Sequence, residues 1–167
     1  MREHDAAVTT LLDAATSDGV LALHHQRLPG RRAAVAHLAI TASGIFVIDA
    51  RHLQSRCAAS QEVGDPTDLP YPADLRVGEA ITRVRSQVAA LRSALSAIEL
   101  ADVQVEGLVC TGSTRRLDSL RQDDEASGVR VVSLDGLNEL LAVQGPLEGP
   151  DRATLHEFLT AQMSPAA

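Results

Sequence analysis

Asp49, Ala50 and Arg51 close the apolar run Ile45-Phe46-Val47-Ile48. Such a run reads as a buried strand, and residues two apart in a strand share a face. The carboxylate of Asp49 and the guanidinium of Arg51 would therefore project together. A carboxylate in that place can ligate a hard cation through oxygen. The arginine beside it can hold a phosphate bidentately. It cannot work as a base, because its pKa lies far above neutrality. No lysine exists to take that role, since all 15 Lys+Arg residues are arginine.

Other residues could join or replace this pair. Arg27, Arg31 and Arg32 flank the turn Pro29-Gly30, where they are either phosphate contacts or solvated loop cations. The chain carries a net charge of −7, yet between His24 and Arg56 five arginines face one acid, Asp49, a local balance of +4. An acidic protein meets nucleic acid only where its charge is inverted in this way. Arg83 and Gln87 lie four apart, on one face of a helix. His24, His25, His37 and His52 match no common zinc spacing. Alternation along a strand would place His24 and His25 on opposite faces, and His37 is expected to pack in the sheet with its ring hydrogen-bonded.

Several chemistries find no support. There is no Ser-His-Asp arrangement, phosphate-binding glycine loop or dinucleotide fingerprint. Aromatic residues are 2% of the chain (Phe46, Tyr71 and Phe158), too few for a platform that stacks single-stranded bases. The cysteines, Cys57 and Cys110, lack metal spacing. With no secretory signal read in front of them, the expected setting is cytoplasmic and reducing. No apolar run is long enough to span a bilayer, so no membrane partner is expected.

The elements that must position these residues follow from hydropathy patterning. Ala6, Val8, Leu11, Leu12 and Ala15 give a helix over 5–16. Strands are predicted at 20–28, 33–41 and 45–50, the last two joined by the hairpin Ala42-Ser43-Gly44. Residues 52–77, with Gly64, Pro66, Pro70 and Pro72, read as irregular. Ile81, Val84, Val88, Leu91, Leu95 and Ile98 form one helical stripe. Strands follow at 103–110 and 129–132, separated by a polar connection. Ser133 is placed to cap a short helix carrying Leu137, Leu140 and Leu141. A last helix starts near Arg152 and presents Leu155, Phe158, Leu159 and Met163; the tail 164–167 is expected to fray. The length suits a single domain, 1–167, of α/β class, with a central mixed β-sheet flanked by helices.

Taken in order, Leu23-His24, Arg27-Leu28-Pro29-Gly30, His37-Leu38 and Ser43-Gly44-Ile45-Phe46-Val47-Ile48-Asp49-Ala50-Arg51 resemble the nuclease-related domain (NERD) family. The likeness continues through Leu75-Arg76-Val77-Gly78, Gln87-Val88-Ala89-Ala90-Leu91 and Gly107-Leu108-Val109-Cys110. It then covers Gly128-Val129-Arg130-Val131-Val132 and Gly145-Pro146-Leu147, nearly the whole chain. No single piece is specific; the series is. The resemblance implies a restriction-endonuclease-like three-layer core of the PD-(D/E)xK kind. It also implies phosphodiester hydrolysis of DNA assisted by Mg²⁺ or Mn²⁺.

Carried over residue by residue, the catalytic candidates are Asp49, Arg51 and Gln87. The metal candidates are Asp49, the Ala50 carbonyl and an N-terminal acid, Asp5 or Glu3. Three positions depart from the family. Ala36 stands where an aspartate precedes the histidine, Arg51 stands for the lysine, and His25 stands for the aspartate of the first strand. One carboxylate and one carbonyl hold Mg²⁺ poorly, and Asp49 would more simply pair with Arg51. The expectation is an impaired nuclease needing no cofactor, which retains nucleic-acid or partner binding through Arg27, Arg31, Arg32 and Arg51. A live metal-dependent endonuclease is the alternative. A structural protein that pairs with another protein or a second copy is a further one.

Overall fold

The computed structural model describes residues 3–28, 34–51, 72–96, 102–111 and 128–166; for Glu3, Arg51 and residues 72–76 it describes the backbone alone. The three apolar runs of the first third form an antiparallel meander of β1 (Leu21–Arg27), β2 (Ala34–Ile40) and β3 (Ile45–Arg51). β1 and β2 pair with Leu21 opposite Ile40 and Arg27 opposite Ala34, a register whose midpoint falls between positions 30 and 31. At the β2–β3 hairpin, Gly44 has φ +149°, and a side chain there would place a Cβ 2.5 Å from the Gln104 carbonyl oxygen. Glycine alone fits both demands.

From β3 the chain crosses through α2 (Pro72–Leu95) to β4 (Val105–Thr111) and then reaches β5 (Val129–Ser133), both parallel to β3. The result is a six-stranded mixed sheet in the order β5-β4-β3-β2-β1-β6. Helices cover it on both sides, so the fold is α/β in three layers. On one face α1 (Glu3–Ala14) brings Val8 and Leu12, and α3 (Leu134–Leu141) brings Leu137 and Leu141. They pack on Ala39, Phe46, Ile48, Leu108 and Cys110. On the other face α2 brings Val84, Val88, Leu91 and Leu95, and α4 (Gly149–Gln162) brings Leu155 and Leu159. These meet Leu38, Ile40, Val47 and Val109. Strand alternation thus sorts the sheet's side chains into two separate apolar cores.

Three elements depart from the sequence expectation. The helix expected after an irregular 52–77 begins earlier, at Pro72. Proline there is compatible with a helix because a first-turn residue has no intrahelical acceptor for its N–H to lose. Residues 52–71, with His52, Arg56 and Cys57, lie outside the described residues, as do the Pro29-Gly30 turn, Arg31, Arg32 and Ile98. The tail expected to fray instead forms β6 (Ser164–Pro165), with Ser164 opposite Arg27 and Pro165 opposite Gln26. Ala166 N donates to the His25 carbonyl at 2.8 Å, which satisfies part of the β1 edge. Helix α1 starts at Glu3 and ends in a 3-10 turn, Ala15–Asp18, closed by Gly19 at φ 82°. The Ser133 cap is present, its hydroxyl accepting from Gly136 N at 3.1 Å.

Candidate functional site

Four strands, β1, β3, β4 and β5, point the same way, so their C-terminal ends and the N-terminal end of β2 share one end of the sheet. Asp49 lies there. Its side chain follows the parity of Val47, toward α2, and is buried at 8% exposure. A guanidinium meets it from the helix: Arg83 Nη1 donates to Asp49 Oδ2 at 3.0 Å. One turn further along α2, Gln87 is also buried, and its Nε2 donates to the Ala34 carbonyl at 3.0 Å. Asp49 and Gln87 are therefore brought to the same end and face, as expected of a shared site. Arg83, a cation on Asp49, is a residue the sequence marked only as a helix flank. The side chain of Arg51 is outside what the structure describes.

Arg27 closes the arrangement. It pairs with Ala34 across β1–β2. Arg27 and Arg51 end β1 and β3, with β2 between these two strands in the sheet. Arg83, 40% exposed, stands above them from α2.

Asp5 is elsewhere. It projects from α1 onto the opposite face of the sheet, where its Oδ1 accepts from His37 Nε2 at 3.1 Å. The sheet separates it from Asp49, so the two do not form one ligand set. His37 faces α1 because it is paired with Ile48, a residue of the α1-side core. Its other nitrogen, Nδ1, lies 2.9 Å from His24 Nδ1, and His24 Nε2 donates to Asp13 Oδ1 at 3.2 Å. The expectation that His37 packs in the sheet with a bonded ring is met.

The expectation that His24 and His25 diverge is not met. His25 adopts φ 49°, the left-handed region, which breaks the strand's alternation. Its ring centroid lies 5.6 Å from that of His37, and its Nε2 stands 3.5 Å from Asp5 Oδ2. Both neighbours of the dipeptide therefore flank His37. Asp13 was also missed. The hairpin turn did carry a signal for the His24–His37 pairing, since folding the chain about positions 30–31 brings them opposite. Nothing in the spacing announced the positive φ.

Burial dominates the electrostatics of this second cluster. His37 has no exposed surface, and desolvation outweighs the attraction of Asp5, holding its pKa down from 6.5 to about 4. The ring is neutral at physiological pH. Cys110, fully buried on β4, has its thiol pushed up to about 12 by the same desolvation. His4 Nε2 donates to the Cys110 carbonyl at 3.2 Å, a further link between α1 and the sheet.

Metal ligation was tested against these positions. Among the described residues no three His, Cys, Asp or Glu side chains are grouped to hold an ion. At Asp49 an arginine meets the carboxylate, and Asp5, the other carboxylate candidate described, is across the sheet. The residues described do not fit that ion. A recess of about 310 Å³ lined by Gly44, Phe46, Gln104, Glu106, Arg130 and Val143 lies at the other end of the sheet, away from Asp49. Among the described residues no helix is long and apolar enough to cross a membrane. Comparison with family models, with curated proteins and with solved structures returns no match to this chain.

Proposed function

We propose that this chain is a nuclease-related domain with a restriction-endonuclease-like core whose hydrolytic centre is degenerate, and that it binds the phosphates of double-stranded DNA through the arginine-bearing end of its sheet. The observation that carries this reading is the occupation of Asp49 by Arg83 at 3.0 Å. In a working metal centre that carboxylate would face a cation bearing water. Here it faces a guanidinium, which supplies no water and accepts no proton. The absence of a carboxylate at Ala36 and the arginine at position 51 agree with the same loss.

Phosphate binding is supported by the charge left at that end. Arg27 ends β1, the backbone of Arg51 ends β3, and Arg83 reaches Asp49 from α2; Arg31 and Arg32 lie outside the described residues. A guanidinium carries five N–H donors, so Arg83, 40% exposed, can meet a polyanion while it donates to Asp49. With aromatic residues only 2% of the chain, phosphate contact is favoured over base stacking.

Two measurements on the whole chain test the reading. Supercoiled plasmid with Mg²⁺ or Mn²⁺ should remain uncut. Cleavage that Asp49→Ala abolishes would overturn the degenerate assignment. Labelled duplex should bind at low salt, with affinity falling steeply as salt rises. No binding even at low salt would remove the nucleic-acid role and leave a protein partner or a second copy as the ligand.

A further inference from the structure

We propose that the recess at the end of the sheet away from Asp49 binds a free α-amino acid with an apolar side chain. It encloses about 310 Å³, which falls within the range of about 300–1,000 Å³ usual for small-molecule sites. Its place is set by the strand register. Phe46 pairs with Glu106 across β3–β4, and Leu108 pairs with Arg130 across β4–β5. Residues paired across a ladder share a face, and so do residues two apart along a strand. Phe46, Glu106 and Arg130 therefore all project on the side of the sheet that α1 and α3 cover, where Phe46 and Leu108 belong to the core. Helix α3 ends at Leu141. Just past it Val143 lines the recess while 47% exposed, a large apolar side chain left open to water.

The lining has an apolar part and a charged part. Ile45, Phe46, Leu140 and Val143 supply the first. The second is one connected group. Gln104 Nε2 donates to Glu106 Oε1 at 2.7 Å, and Arg130 Nη2 donates to Glu106 Oε2. Each Glu106 oxygen accepts one hydrogen bond in this way and has a second lone pair. Arg130 has N–H donors beyond the one spent on Glu106. The side chains of Glu106 and Arg130 are 28% and 51% exposed, so both can be reached from solvent.

This pairing selects among ligands. One cation and one anion stand side by side at an apolar recess, and their charges sum to zero. A simple anion would be drawn to Arg130 and repelled by Glu106, and a simple cation would meet the reverse, so neither gains much. A zwitterion gains from both. Its carboxylate can take the unused donors of Arg130, its ammonium can donate to Glu106, and its side chain can cover Val143 and Leu140. An α-amino acid carries these three groups on one carbon. The site owes nothing to the arginines at the Asp49 end, so it stands apart from the reading of that end.

The test is a set of titrations of the whole chain followed by methyl ¹H–¹³C spectra. Leucine should shift the Val143 and Leu140 methyl signals saturably and leave Val84, on the opposite face, unmoved. N-acetyl-leucine lacks the ammonium and leucinamide lacks the carboxylate. Each should bind about tenfold more weakly or worse, the effect of losing one charge-assisted hydrogen bond. The same two compounds mimic the last and first residues of a peptide, so they also separate a free amino acid from a chain terminus. Arg130→Gln and Glu106→Gln should each weaken leucine binding by a similar factor, with unchanged Val84 signals reporting an intact fold. No saturable shift with leucine would overturn the proposal. So would equal binding of either derivative, or an Arg130→Gln chain that binds leucine as well as the unaltered one.

Discussion

Arg83 Nη1 stands 3.0 Å from Asp49 Oδ2, joining the middle of α2 to the C-terminal end of β3. The carboxylate is 12% exposed at its side chain and the guanidinium 40%. A contact of this kind is neither a free surface ion pair nor a fully buried one. Solvent screens the arginine, and the aspartate depends on what the protein offers it. The same carboxylate is the side chain of the Asp49-Ala50-Arg51 strand suited to holding a metal, so its pairing bears on stability and on function together.

The pair should therefore show measurable coupling. A double-mutant cycle of Asp49→Ala and Arg83→Ala, followed by urea unfolding, should give an interaction energy of about 1 kcal/mol. Arg85→Ala, on the exposed side of the same helix, should change stability by less than about 0.5 kcal/mol. Coupling indistinguishable from zero would mean that solution averages the contact away.

Gly107 sets how closely α2 approaches the sheet. A Cβ there would meet Val84 Cγ1 at 2.5 Å and Val129 Cγ2 at 3.0 Å. Gly107→Ala should cost about 1–3 kcal/mol through overpacking. Val84 neighbours Arg83 in sequence, so displacing the helix should also weaken the Asp49 contact. Unchanged unfolding midpoints would show that the helix can move outward freely.

Acid should destabilise the fold through His37. Its folded pKa is about 4, against 6.5 when unfolded. Between those values the unfolded chain binds a proton that the folded chain does not, so stability is lost as pH falls from 6.5 toward 4. The ceiling on this loss is ~3 kcal/mol. Urea unfolding at a series of pH values should show His37→Gln flattening this part of the profile. His37 contacts Asp5 and His24, so the difference between the two curves reports the ring together with these two partners. Parallel curves would refute the assignment.

Cys110 should be inert while the chain is folded. Burial raises its thiol to about 12 and leaves no surface for a reagent. Peptide mapping after brief iodoacetamide treatment at pH 8 should find Cys110 unmodified, and fully modified once urea has been added. Rapid labelling of the native chain would indicate opening of β4.

Much of the architecture is legible in the sequence because it depends on local periodicity. The stripe Val84, Val88, Leu91 and Leu95 specifies a helix with one buried face. The runs around Leu38, Val47 and Val109 specify strands, and Ser133 specifies a cap. Each is a statement about residues within a few positions of one another. The chemical reading of Asp49 began equally locally, as a carboxylate at a strand end with too few partners for Mg²⁺.

Tertiary structure decided the partners. Arg83 reaches Asp49 only because α2 crosses from β3 to β4 at a fixed height over the sheet, and no spacing along the chain encodes that height. Asp5 and Asp49 are both acids, and only the layer order shows that the sheet divides them. His25 breaks the two-residue period because its backbone enters the left-handed region, which a histidine adopts only occasionally. β6 forms because the β1 edge has unpaired backbone groups that the last residues can reach. Periodicity is a short-range property and survives in the sequence. Contacts between elements depend on where rigid pieces come to rest, which packing and hydrogen-bond satisfaction settle only in three dimensions.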